Sequence, residues 1–156
     1  MRITIAAVGR AKRGAEQALC DSYLRRLSAS GLAEVTIKEV EERRALPPDE
    51  LKQREARLLE AALPQGARLV ALDPRGRTLS SEDFAARLGA IRDEGIADLC
   101  FVIGGADGLA APLVARADWV LSLGAMTWPH LLARVLLVEQ LFRAQAILTG
   151  HPYHRA

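Results

Sequence analysis

Asp98-Leu99-Cys100-Phe101-Val102-Ile103-Gly104-Gly105-Ala106-Asp107-Gly108 is the stretch on which the fold turns. Leu99 to Ile103 are apolar without interruption. A strand with one wet face alternates apolar and polar residues, whereas an unbroken apolar run belongs to a parallel sheet covered by helices on both sides. The run ends in glycines, which allow a tight turn at the carboxyl end of the strand.

Working outward, the same unit recurs. Arg2–Val8 is a first strand closed by Gly9, and 15–28 carries Leu19, Tyr23, Leu24 and Leu27 at helical spacing. Val35–Val40 is a second strand. Pro47-Pro48-Asp49 starts a helix, because proline suits a position that needs no amide donor and Asp49 suits the positive end of the dipole. That helix runs to about Leu63, closed by Pro64 and Gly66. Arg68–Leu72 is the third strand, with Asp73-Pro74-Arg75-Gly76 as its turn. Ser80 or Ser81 caps a helix carrying Phe84, Leu88 and Ile91 that stops at Gly95. After Ile103 come a short helix around 111–117, a fifth strand Trp119–Leu123, and a last helix from His130 to about Leu148. The alternation is βαβαβαβαβα, which predicts an α/β fold: a mostly parallel sheet with helices on both faces. No repeat or linker interrupts it, so 1–156 reads as a single domain.

Composition narrows the function classes. Half of the 156 residues are hydrophobic, 26% are charged, and the net charge is +2, too small for a strong global field. Nucleic-acid binding would have to come from local patches or from a doubled surface in an oligomer. Cys20 and Cys100 are too few for a disulfide framework or a metal cluster, so no metal is expected, and Cys100 reads as a small buried hydrophobe. No apolar run reaches the ~20 residues needed to cross a bilayer, and no signal pattern opens the chain, so a cytoplasmic protein is expected. The mixed-charge stretch 41–57 reads as a solvated helix face.

In the last helix His130, Arg134 and Gln145 share one stripe, Glu139 and Arg143 nearly the opposite one, and apolar residues fill both flanks. One apolar stripe suffices to pack on a sheet. Two predict a second cover, and a homodimer through this C-terminal helix is the expectation. The loops before it suggest a small-molecule site. Gly104-Gly105-Ala106-Asp107-Gly108 is neither Gly-x-Gly-x-x-Gly nor followed by Gly-Lys-Ser/Thr, and no acidic residue ends the next strand. Dinucleotide binding and phosphoryl transfer are therefore disfavoured. Leu121–His130 is uncharged and offers main-chain groups within an apolar wall, which suits an adenine ring. The strand ends at Leu72-Asp73, Gly104 and Leu123 are placed to converge on one ligand; otherwise they are simply well-packed turns.

The end of the chain gathers all three histidines, His130, His151 and His154, with Tyr153, Arg134, Arg143 and Arg155, and Glu139 is the only acidic residue after Asp118. Such a segment is either an idle basic terminus or a surface for something anionic.

Val8-Gly9, Tyr23-Leu24-Arg25-Arg26, Leu72-Asp73 with Gly76, Ile103-Gly104-Gly105-x-x-Gly108-Leu109, Thr127-x-Pro129-His130 and His151-Pro152-Tyr153-His154-Arg155 together make the chain resemble the small RlmH type of the SPOUT methyltransferase superfamily. The likeness runs the length of the chain. It implies a C-terminal trefoil knot, a homodimer, and S-adenosylmethionine bound in the knot. It also implies methylation at N3 of a pseudouridine in large-subunit ribosomal RNA. The cofactor contacts carried over by position are Leu72, Gly104, Leu123, Gly124, Ala125, Met126, Thr127 and Trp128, with the tail beside the methyl group. Ala106-Asp107 stands where relatives commonly have Pro-Glu, and Gly124 and Trp128 replace residues that are often small or aliphatic.

Methyl transfer to N3 requires alignment and loss of the N3 proton. Tyr153 and His154 are the candidates for that proton, and Arg143 and Arg155 for phosphate or the anionic base. His130 is expected to cap the last helix or orient the loop, and Glu139–Arg143 to form a helix-surface ion pair. Arg10, Lys12 and Arg13, with Arg75 and Arg77, are candidate phosphate contacts. The absence of an appended RNA-binding domain favours the assembled ribosome as substrate. Two alternatives are methylation of another RNA, such as transfer RNA, and a non-catalytic ribosome-assembly factor.

Overall fold

A computed structural model describes residues 1–29 and 33–154; Arg155 and the side chain of His154, both named above, lie outside the described part. The elements are β1 (Arg2–Val8), α1 (Ala15–Ala29), β2 (Glu34–Val40), α2 (Pro48–Ala62), β3 (Arg68–Arg77), α3 (Ser81–Asp93), β4 (Asp98–Ile103), α4 (Ala111–Arg116), β5 (Trp119–Leu121), α5 (His130–Thr149) and a 3-10 turn, Pro152–His154. The strands form one sheet in the order β2-β1-β4-β3-β5, and every pairing is parallel.

The apolar run of β4 is central, as its composition demands. Alternate residues divide between two cores. Ile3, Ile5, Leu99, Phe101 and Val70 meet α1, α3 and α5, whereas Ala6, Val8, Cys100, Val102 and Ala71 meet α2 and α4. Local chemistry sets the helix ends: the Ser80 hydroxyl accepts from the Asp83 amide at 3.0 Å, Pro48 opens α2, and Gly150 ends α5 at φ +69°.

Two boundaries differ from expectation. β3 continues to Arg77, and β5 stops at Leu121. Leu72 and Arg77 both pair with Leu121, so Asp73–Gly76 is a bulge thrown out of one strand rather than a turn that ends it. The bulge crosses β5 closely. A Cβ on Gly76 would lie 2.7 Å from the Val120 carbonyl carbon and oxygen, which leaves room for glycine alone.

The double cover on α5 also has an explanation within the chain. Val135, Leu137, Val138, Leu141 and Ala144 pack into the core between α1 and α3. The stripe of Arg134 and Gln145 is the inward one, at 1% and 4% exposure, while Glu139 and Arg143 face outward, partly covered. The apolar flanks therefore do not by themselves require a second subunit. What remains uncovered is the start of the helix and the loop before it, where Met126, Trp128 and Leu132 are 75%, 42% and 37% exposed. Among the described residues, no helix is long and apolar enough to cross a membrane.

Candidate active site

The carboxyl ends of β3, β4 and β5 meet at a cavity of about 560 Å³, closed above by the loop 123–129 and the first turn of α5. That is the size and position expected of a ligand site in an open α/β sheet. Leu72, Gly104, Leu123, Gly124, Met126, Thr127 and Trp128 lie on its wall, so the structure brings together seven of the eight positions nominated from sequence. Ala125 belongs to the same loop but does not border the cavity. Asp73, Gly105, His130 and Ala133 also line it; none of the four is among the contacts carried over by position, although Asp73 stands at one of the converging strand ends and His130 closes the uncharged loop read from sequence.

Gly104 owes its place to close backbone packing. A Cβ there would sit 2.6 Å from the Gly108 carbonyl carbon and 2.9 Å from the Leu109 nitrogen. Gly108, at φ +79°, donates its amide to the Gly105 carbonyl at 3.0 Å and closes the loop on itself. On the other side, Ser122 Oγ lies 3.1 Å from both the Pro74 carbonyl and the Gly124 amide, tying the β3 bulge to the loop after β5.

The electrostatics of the wall are selective. Among the described residues no lysine or arginine lines the cavity, and the one carboxylate that does, Asp73, is 7% exposed. Hydrogen bonds from the Arg75 guanidinium, at 2.9 Å to both carboxylate oxygens, hold Asp73 below the usual carboxylate range. Such a cavity suits an uncharged ring with a cationic group, and among the described residues it offers a phosphate no lysine or arginine.

The nominated tail residues lie elsewhere. Tyr153 packs its ring on Phe142 with centroids 4.6 Å apart, and its hydroxyl reaches Glu139 Oε1 at 3.1 Å and the Tyr23 hydroxyl at 3.3 Å. Arg143 stacks over the Tyr153 ring at 5.1 Å and pairs with Glu139 at 2.7 Å, the ion pair expected from sequence. Burial first, then the Tyr23 hydrogen bond and the charge of Glu139, push the Tyr153 phenol upward; it stays protonated at neutral pH and acts as a donor, not a base. Arg143 is thirteen residues along α5 from His130, about 20 Å at 1.5 Å per residue. Within one chain, therefore, Tyr153 and Arg143 do not lie beside the cavity.

Of the two roles expected for His130, capping the last helix is not the one it takes. Pro129 is the N-cap of α5, with no side-chain capping bond, and His130 instead packs on Gly9: its Nε2 lies 2.9 Å from where a Gly9 Cβ would be.

A family model described as "Predicted SPOUT methyltransferase" matches residues 1–154. Over 155 residues, 99% of each chain, the sequence is 57% identical to "Ribosomal RNA large subunit methyltransferase H" of Paramagnetospirillum magneticum. It is 56% identical over 156 residues, all of both chains, to the protein of the same name from Rhodospirillum centenum. Among solved structures, a probable methyltransferase from Bordetella pertussis superposes with a TM-score of 0.54 at 17% identity, covering 92% of this chain and 96% of that one, a likeness of fold.

Proposed function

The chain belongs to the SPOUT methyltransferase family, and from that premise we propose that it methylates N3 of a pseudouridine in large-subunit ribosomal RNA, using S-adenosylmethionine. The observation that carries the cofactor reading is the largely apolar cavity at three strand ends, with Asp73 on its wall and no lysine or arginine there among the described residues. S-adenosylmethionine, when bound, supplies a methyl group already activated by a sulfonium. The chain holds it through Leu72, Gly104 and the backbone of 123–128, with Asp73 as the one negative charge nearby.

What remains for the protein is alignment and charge. Tyr153 and Arg143 are donors suited to an imide anion developing at N3, and His154, whose side chain lies outside the described residues, is the tail's candidate to take its proton. These residues sit at the far end of α5 from the cavity, so the reading requires the tail of a second copy. A homodimer whose last helices run antiparallel sets one chain's tail over the other's cavity, and Met126, Trp128 and Leu132 supply the apolar contact at that end. The trefoil knot belongs to the same proposal and is supported by the family match over residues 1–154.

The decisive experiment incubates the purified protein with labelled S-adenosylmethionine and ribosomes lacking the modification. Label at a single pseudouridine of large-subunit RNA is expected. Cofactor binding without any transfer to ribosomal RNA would favour a non-catalytic assembly factor, and label in transfer RNA alone would reassign the substrate.

A further inference from the structure

We propose that the loop following β1 is a phosphate-docking surface for RNA, fixed at the rim of the cavity by an ion pair from the buried Arg134 to Glu39 of β2. The inference rests on the methyltransfer reading above.

Arg134 is 1% exposed, and its guanidinium makes two contacts that matter. Nη1 lies 2.5 Å from Glu39 Oε1, and Nη2 donates to the Gly9 carbonyl at 3.0 Å. The same Glu39 oxygen accepts from the Ala11 amide at 2.9 Å, and the Gly9 amide donates to the Val40 carbonyl at 2.8 Å. Gly9 and Ala11 are thus held from both β2 and α5. Gly9, at φ +89°, also packs directly on His130, which lines the cavity. The chain leaving β1 therefore starts its excursion at the mouth of the site, at a position the protein interior sets.

The next residues carry the charge. Arg10, Lys12 and Arg13 are all exposed. Arg10 lies 3.6 Å from Glu41, while Lys12 and Arg13 make no ion pair among the described residues. Among the described residues the cavity beside them has no lysine or arginine on its wall, so the two surfaces divide the work by charge: the cavity takes the uncharged base and the cofactor, and the loop takes the backbone on either side. Exposed cations on a fixed backbone next to a base-sized opening match a polyanion whose bases are read elsewhere. A buried guanidinium whose counter-ion also binds a loop amide fixes a position in a way that an exposed, screened pair does not.

The test uses the full-length protein with large ribosomal subunits lacking the modification, measuring subunit binding by co-sedimentation, methyl transfer, and S-adenosylmethionine binding by calorimetry. In the double variant Lys12→Glu/Arg13→Glu, subunit affinity should fall about tenfold or more, and the slope of log affinity against log salt should shrink by about 1 to 2. Cofactor affinity should be unchanged. Glu39→Gln should raise KM for subunits while leaving cofactor affinity and the salt slope intact, because the cations of the loop, Arg10, Lys12 and Arg13, remain and only their placement loosens. Unchanged binding and slope in the double variant would overturn the docking surface. Cofactor affinity falling in step with KM in Glu39→Gln would make the ion pair a general support of the fold. Wild-type protein that binds subunits but transfers no methyl would count against the methyltransfer reading, and the binding arms would still decide this one.

Discussion

At the scale of single residues, the glycines at crossings carry more of the site than its polar groups. Gly104→Ala would force a methyl group into the Gly108 backbone. We expect it to cost about 1–3 kcal/mol of stability by overpacking and to weaken S-adenosylmethionine at least about tenfold. Denaturant titration and calorimetry measure the two effects, and unchanged cofactor affinity would remove Gly104 from the binding loop. Tyr153 makes a different prediction. Its phenol is raised in the folded state by burial, Tyr23 and Glu139. Docking therefore stabilises the protonated form: the contribution is complete below the free phenol's value, about pH 10, and is lost as pH rises beyond it. Tyrosinate absorbance should show a late component that Tyr153→Phe lacks; ionisation of Tyr153 near pH 10 would contradict the docked geometry. Gly104 was legible from sequence as a glycine closing a strand, but the docking of Tyr153 was not. Its partners Tyr23, Glu139 and Phe142 come from two helices whose approach no local pattern encodes.

At the scale of elements, α5 shows both what periodicity reveals and where it misleads. Its length and start were evident from the 3.6-residue period. Its orientation was not legible: a stripe of His, Arg and Gln ordinarily faces water, and here Arg134 and Gln145 face inward, the guanidinium meeting Glu39 and the Gly9 carbonyl. β3 was shortened in the sequence reading for a related reason, since its second pairing with Leu121 depends on a strand more than forty residues away. The α5 surface also separates two kinds of leucine. Leu137, fully buried, should cost about 2–5 kcal/mol when replaced by alanine. Leu132→Ala, on the exposed first turn, should change the stability of the chain by less than about 0.5 kcal/mol while weakening self-association. Thermal unfolding and sedimentation distinguish them, and a Leu132 variant that self-associates like wild type would move the dimer contact elsewhere. Deleting 153–156 should abolish transfer and largely spare cofactor binding; equal loss of both would place the tail in the cofactor pocket instead.

At the scale of the whole molecule, the distance between cavity and tail makes the assembly testable. A chain disabled at the cavity by Gly104→Ala and a chain lacking 153–156 should each be inactive. If each site takes its cavity from one subunit and its tail from the other, mixing and exchanging them should restore part of the activity, because a mixed dimer retains one complete site. No recovery, despite exchange shown by sedimentation, would mean that cavity and tail act within one chain. The parallel α/β architecture was legible from one apolar strand and its repeats, whereas the order β2-β1-β4-β3-β5 was not, since every strand is compatible with several neighbours.

That order bears on how the protein is made. β4 starts at Asp98 yet lies between β1 and β3, which share no other neighbour. Until the ribosome has synthesised it, β1 with β2 and β3 alone are separate ribbons with open apolar edges, the kind of intermediate that aggregates or recruits chaperones. The sheet closes only when a late segment is inserted into the middle of early ones, a high-contact-order step that makes for slow, all-or-none folding. Nascent chains released before residue 98 should therefore persist as protease-sensitive fragments rather than as a smaller folded core.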